Sequence, residues 1–179
     1  MPIPLPPETR VLERMKEIAA GLDLQAVFGL SAPVTVRHYR HRNAMASEKP
    51  GLALRLVETE INAEAAGYHT AFETCWAMKV ELIVDLSLLP EAVDTLAAAG
   101  DDNDATGWDR LLGVGRYVAG KYVAMSSPLR LLVDDVLYGD IGPDEDSQPD
   151  EGRLAAAVIV LYRTPNEDPL HLLSPEENS

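Results

Sequence analysis

The chain has 179 residues, a formal net charge of −14 and 46% hydrophobic residues, enough to build one domain around a core of ordinary size. So acidic a surface repels phosphate and anionic lipid, which excludes a nucleic-acid tracker or a membrane-surface protein except through a local basic patch. The single cysteine, Cys75, cannot make an internal disulfide, so nothing in the chain calls for an oxidising compartment.

Residues 1–7, MPIPLPP, have neither the basic start nor the apolar run of a signal peptide. No segment approaches the roughly 20 apolar residues of a membrane span, so a soluble, cytoplasmic protein with no membrane partner is expected. The proline-rich start predicts an extended segment over 1–7. A helix then begins near Pro7 and Glu8, with proline at its first position and the carboxylate at the positive dipole end. Val11, Leu12, Met15, Ile18 and Ala19 fall on one face, and Gly21 marks the stop.

After Pro33, residues 34–40 read as a strand with Val34, Val36 and His38 on one face and Thr35, Arg37 and Tyr39 on the other. A loop over 43–51, closed by Pro50 and Gly51, leads to a strand over 52–61. Its Leu52, Leu54 and Leu56 alternate with Ala53, Arg55 and Val57, and Glu58 and Glu60 are placed in line with the leucines. A polar connection through Gly67 and His69 precedes a long strand over 75–86. There Trp76, Met78, Val80, Leu82, Val84 and Leu86 share a face opposite Lys79, Glu81 and Asp85, so one face is core and the other meets water or a partner.

A short helical stretch is predicted over 90–99 and an acidic loop over 101–104. The second main helix is predicted over 108–125, with an apolar face of Trp108, Leu111, Leu112, Val118, Tyr122 and Met125. Gly113, Gly115 and Gly120 lower its intrinsic stability, so tertiary packing must hold it, and they let another backbone approach closely. Ser127 and Pro128 open a turn or short helix, 133–138 is a further strand, and the acidic run 140–151 delivers the chain into a last strand over 154–163. That strand is apolar enough to be read as buried on both faces. The order of elements does not alternate strand and helix as a doubly wound nucleotide fold does. The expected class is α+β: a mixed or antiparallel sheet of about four to five strands with two main helices on one face. One domain spans 8–170, and 171–179 form a flexible tail.

Chemical motifs are sparse. Gly113 and Gly115 begin a glycine motif whose third member is displaced to Gly120, inside a helix, and Gly120-Lys121 is followed by Tyr122, so no phosphate cradle is formed. His38 and His41 fall on opposite faces of a strand. Asp102, Asp104 and Thr106 imitate half a calcium loop, but Gly113 stands where a bidentate glutamate is needed. Asp144, Asp146 and Gln148 have calcium-loop spacing with Pro149 in the glycine slot. Cys75 with His69 is the only nucleophile pair to weigh, and nothing in the sequence lowers the thiol's pKa. No catalytic, cofactor or metal residue is therefore assigned, and the chain is read as a non-enzyme.

A charge asymmetry remains. Arg37, His38, Arg40, His41 and Arg42 concentrate positive charge in an acidic chain. They read either as guards of a sheet edge or as one half of an interface between copies. In the second reading Arg37, Arg40 and Arg42 meet Asp144, Glu145 and Asp146 of a neighbour, a head-to-tail contact that closes into a ring.

The order of a leading helix, a basic strand, a leucine-alternating strand and a Trp-led strand (CWAMKVELIV, 75–84), followed by an amphipathic helix and a Gly152-Arg153 strand ending in Tyr162-Arg163-Thr164, resembles the tail-terminator proteins of long-tailed phages. These are the minor tail protein U type, with relatives in prophages and gene transfer agents, and the likeness covers roughly residues 8–170. It implies an α+β fold and a hexameric ring in the virion, at the head–tail interface, assembled in the host cytoplasm. The ring caps the tail tube, ends its polymerisation and forms the head-joining surface. Its partners are further copies, the tail tube protein and a head-completion or connector protein, and DNA passes its lumen without specific binding. The neighbouring alternative is a head-completion or stopper protein of the same interface. The proline-rich start and the 90–104 insertion depart from the shorter members.

Overall fold

The computed structural model describes residues 4–38, 50–62, 73–89, 106–143 and 153–173. Helix α1 spans Pro7–Ala20 and the short α2 spans Leu24–Phe28, followed by strands β1 (Thr35–His38), β2 (Gly51–Ile61) and β3 (Glu73–Asp85). Helix α3 (Thr106–Val123) and a 3-10 turn (Pro128–Leu131) lead into β4 (Asp135–Pro143) and β5 (Arg153–Pro165). The strands form one five-stranded sheet in the order β1-β2-β3-β5-β4, with β1 parallel to β2 and the other neighbours antiparallel. The domain is α+β with a mixed sheet and two main helices on one face, as the sequence pattern predicts.

Period-two patterning decides which face is buried. Met78, Val80, Leu82 and Val84 of β3 pair with Val160, Val158, Ala156 and Leu154 of β5, and all are fully buried. Val11 and Met15 of α1 and Leu111, Val114 and Val118 of α3 close the same core. Val114 belongs to this face although the sequence pattern passed over it. Met125 does not belong, because α3 ends at Val123 and Met125 is 84% exposed.

Two tyrosines tie the helices to each other and to the sheet. Tyr122 Oη of α3 donates to the Met15 carbonyl of α1 at 3.0 Å, and Tyr162 Oη of β5 donates to Glu8 Oε1 of α1 at 2.7 Å. Burial pushes both phenols well above their ordinary pKa, and for Tyr162 the bond to Glu8 adds to the rise. Arg130 holds the C-terminal end of α3: its guanidinium donates to the Val123 and Ala124 carbonyls and reaches Asp135 Oδ1 of β4 at 2.7 Å. Helix-end carbonyls without intrahelical partners are thereby satisfied.

Four expectations change. First, β2 carries a bulge between Leu56 and Glu58. The extra residue turns Glu58 and Glu60 away from the leucine face and sets Glu58 opposite Lys79, so the carboxylates avoid the core. Second, β5 is fully buried on one face only. Its other face, with Arg153, Ala155, Ile159, Leu161 and Arg163, is half-buried, and Ala157 alone there is buried. Third, the sequence pattern missed α2, which Asp23 caps by accepting from the Ala26 N–H at 3.0 Å and which Gly29 ends at φ 62°. Fourth, β4 runs on to Pro143, through a second register shift between Tyr138 and Ile141.

At the other termini, Leu172 is buried in the core and the Leu173 N–H donates to the Arg163 carbonyl at 3.0 Å. The helix predicted over 90–99 and the loop over 101–104 lie outside the described residues.

Gly139 sits in the β4 irregularity with β5 pressed against it: a Cβ there would lie 2.7 Å from Ala157 Cβ and 3.2 Å from its carbonyl oxygen. Gly139→Ala is therefore expected to destabilise the fold by about 1–3 kcal/mol in urea unfolding. Gly142→Ala, whose Cβ meets nothing within 4 Å, is expected to change it by less than about 0.5 kcal/mol.

Candidate functional site

The helices pack on the face of Leu52, Met78 and Val160, which leaves the opposite face of the sheet as the candidate site. Its residues follow from the register. Arg55 stands opposite Glu81 and Asp85 opposite Arg153, while Arg163 stands opposite Cys75. Direct cross-strand placement closes the Arg55–Glu81 and Asp85–Arg153 pairs, while Arg163 reaches diagonally to Glu73 and to Asp134, the residue before β4. Arg55 Nε donates to Glu81 Oε2 at 2.9 Å. Arg153 Nε donates to Asp85 Oδ2 at 3.0 Å, while Ser87 donates to Asp85 Oδ1 through both its N–H and its hydroxyl. Arg163 forms two bonds to Asp134, at 3.0 and 2.8 Å, and one to Glu73 at 2.9 Å.

These pairs stitch β2 to β3, β3 to β5, and β5 to the residue before β4. Asp85 is 2% exposed, so its charge is sustained by these donors and not by water. Small or apolar side chains lie between them, with Ala53, Ile83 and Ala157 buried. A shallow groove of about 210 Å³ crosses the middle, lined by Arg55, Lys79, Glu81, Asp140, Ala155 and Ala157. Its charges are of both signs, and Arg55 and Glu81 are consumed by each other.

Cys75, the nucleophile candidate, is buried on this face. Burial pushes its pKa up, the Arg163 charge opposes that rise, and Asp134 and Glu73 add to it. The net shift is upward, which disfavours the nucleophilic thiolate. His69, its imagined base, lies outside the described residues, as do Asp102 and Asp104 of the first calcium-like loop and Asp144, Asp146 and Gln148 of the second, while Thr106 and Gly113 belong to α3. Among the described residues no group of three His, Cys, Asp or Glu side chains could hold a metal ion. No helix among them is long and apolar enough to cross a membrane.

Of the proposed interface residues, Arg37 is described and stands on β1, directed to the ion-paired face beside Ala53. Arg40, Arg42, Asp144, Glu145 and Asp146 lie outside the described residues. Topology adds what the sequence could not: among the described residues β1 and β4 are the two edges of the sheet. The ion pairs of Arg55, Arg153 and Arg163 were also missed, because alternation places a charge on a face while only register supplies its partner. No family model and no curated protein matches the chain.

Two outcomes follow from this face. Asp85→Ala removes the buried partner of Arg153 and is expected to cost about 3 kcal/mol in urea unfolding. Because the folded state raises the Cys75 pKa, the associated stability is present below the thiol's ordinary value and declines as pH rises through the raised one. Iodoacetamide at about pH 8 should accordingly modify native Cys75 more slowly than the unfolded chain, and an equal rate in the two states would contradict the upward shift.

Proposed function

We propose that the chain is a structural assembly protein of the tail-terminator type: a ring of copies, expected to be hexameric, that caps the tail tube and forms the head-joining surface of a virion. In this reading it acts by fitting against its own copies and a tubular partner, and it turns over no substrate. The observation that supports it best is the separation of opposite charge to the two edges of one sheet. Strand β1 carries Arg37, and the sequence continues from it into Arg40 and Arg42. Strand β4 carries Asp140, and the sequence continues from it into Asp144, Glu145 and Asp146. Opposite charges on opposite edges of the sheet, Arg37 on β1 and Asp140 on β4, suit head-to-tail association, which closes into a ring when the rotation allows.

Further support comes from the α+β architecture, which agrees with the fold that the sequence resemblance implies. The ion-paired sheet face also offers a surface on which Arg55, Arg153 and Arg163 are each paired with a carboxylate. The net negative charge suits a lumen through which DNA slides without phosphate contacts.

Cosedimentation with preformed tail tubes tests the reading. The chain should pellet with the tubes at a few copies per tube end and stop their further growth; tubes that elongate unchanged contradict it. Capture by tailless heads in place of tubes assigns the chain to a head-completion role. Reversing Arg37, Arg40 and Arg42 together to Glu should weaken self-association, and so should raising salt, since exposed pairs are screened. Association indifferent to both would leave the arginines as guards of the sheet edge.

A further inference from the structure

The sheet register places the two edge strands in a specific relation. Across the rungs, Arg37, Ala53, Ile83, Ala155 and Gly142 stand abreast, and so do His38, Leu54, Leu82, Ala156 and Ile141. The edge β1 is therefore level with the last residues of β4 on the far edge. The directions also matter. Strand β1 runs with β2 and β5 and against β3 and β4, so the two edges point in opposite senses.

A rotation that carries one copy onto the next keeps the strand senses, and it brings β1 of one copy beside β4 of the next as an antiparallel pair. Closing a twisted sheet tilts its strands and slides this register by an even number of residues, which leaves every side chain on its own face. Arg37 of one copy and position 142 of the next then share the ion-paired face, with Asp140 nearby in sequence. Upper and lower halves of β4 differ: Arg130 reaches the Val136 carbonyl at 3.4 Å, whereas Leu137 and Tyr138 are 42% and 56% exposed. Among the described residues β4 pairs with β5 alone and β1 with β2 alone.

We propose that the edge of β4 from Leu137 onward is the docking surface for β1 of a second copy of this chain, joining the two sheets through an antiparallel junction in which Arg37 meets the acidic side of β4. This deepens the ring reading and rests on it only for the closure of successive copies into a circle. Main-chain hydrogen bonds supply the attachment, and the charges of Arg37 and Asp140 select β1 over a second β4, which would set Asp140 near its own copy. A four-residue strand such as β1 gives a weak single junction, and closure of a ring multiplies it.

Gly142 gives the test. A side chain added there meets nothing within 4 Å, so charge can be introduced on the junction face without disturbing the protomer. Sedimentation velocity on the full chain, from about 1 µM to about 1 mM, spans the affinity range of weak to moderate self-association. The wild type should associate, Gly142→Arg should weaken association at least about tenfold by facing Arg37 with a like charge, and Gly142→Glu should preserve or tighten it. Hydrogen exchange on the wild type should show slowed amides within Leu137–Pro143 on association, a readout that needs no variant. A wild type monomeric throughout, equal association of the three proteins, or unchanged β4 exchange in the oligomer each overturns the proposal. Gly142→Arg rings that still cap tubes would remove the junction and leave the tail-terminator reading standing. Association with the expected charge response but without tube capture would do the reverse.

Discussion

The pairing of β3 with β5 is the constraint on which the other features depend. It runs unbroken from Glu73 opposite Pro165 to Asp85 opposite Arg153. One face of it is a continuous apolar strip, in which Met78, Val80, Leu82, Val84, Leu154, Val158 and Val160 are fully buried. Each such side chain contributes about 1.5–3 kcal/mol when removed from water. A slip by one residue would send Lys79 and Glu81 into that strip, so register and burial enforce each other. The ends are locked separately: Asp85 with Arg153 at one, and Trp76 Nε1 donating to Thr164 Oγ1 at 2.9 Å with Arg163 bound to Glu73 at the other.

Once that pair is set, the remaining elements have little freedom. Strand β2 must take the far side of β3 and β4 the far side of β5, so among the described residues β1 and β4 end the sheet. Helices α1 and α3 must cover the apolar strip, and α3 comes close because Gly115 faces Leu154 and Ala156, where a Cβ would lie 2.8 Å from Leu154 Cδ2. The charged face and the edges are what is left for a partner. A protomer whose apolar strip is satisfied internally offers polar, ion-paired and edge-strand surfaces, and the proposal that copies fit against one another is built on these.

Much of the architecture was legible in the amino-acid order because it is written in period two and period 3.6. The even-numbered apolar run from Trp76 to Leu86 fixed a face, and Val11, Met15 and Ala19 fixed a helix stripe. What depends on partners at long range was not legible. The bulge after Leu56 leaves no mark in composition, so Glu58 and Glu60 were aligned with the wrong face. The apolar run of β5 suggested burial on both sides, yet alanines and the aliphatic body of arginine tolerate a half-buried face. Helix α2 is a single turn between Asp23 and Gly29, too short to show periodicity. Of the interface residues, only Arg37 could be set in the sheet, and its importance comes from β1 being an edge, which no local pattern states.

The most direct measurement is an electron cryo-microscopy reconstruction of tail tubes incubated with the purified chain. The account predicts a closed ring at the tube end, with β1 of each copy beside β4 of the next and no density for the chain along the tube wall. A chain bound along the wall, or rings whose copies meet through their helices with both sheet edges facing solvent, would contradict it.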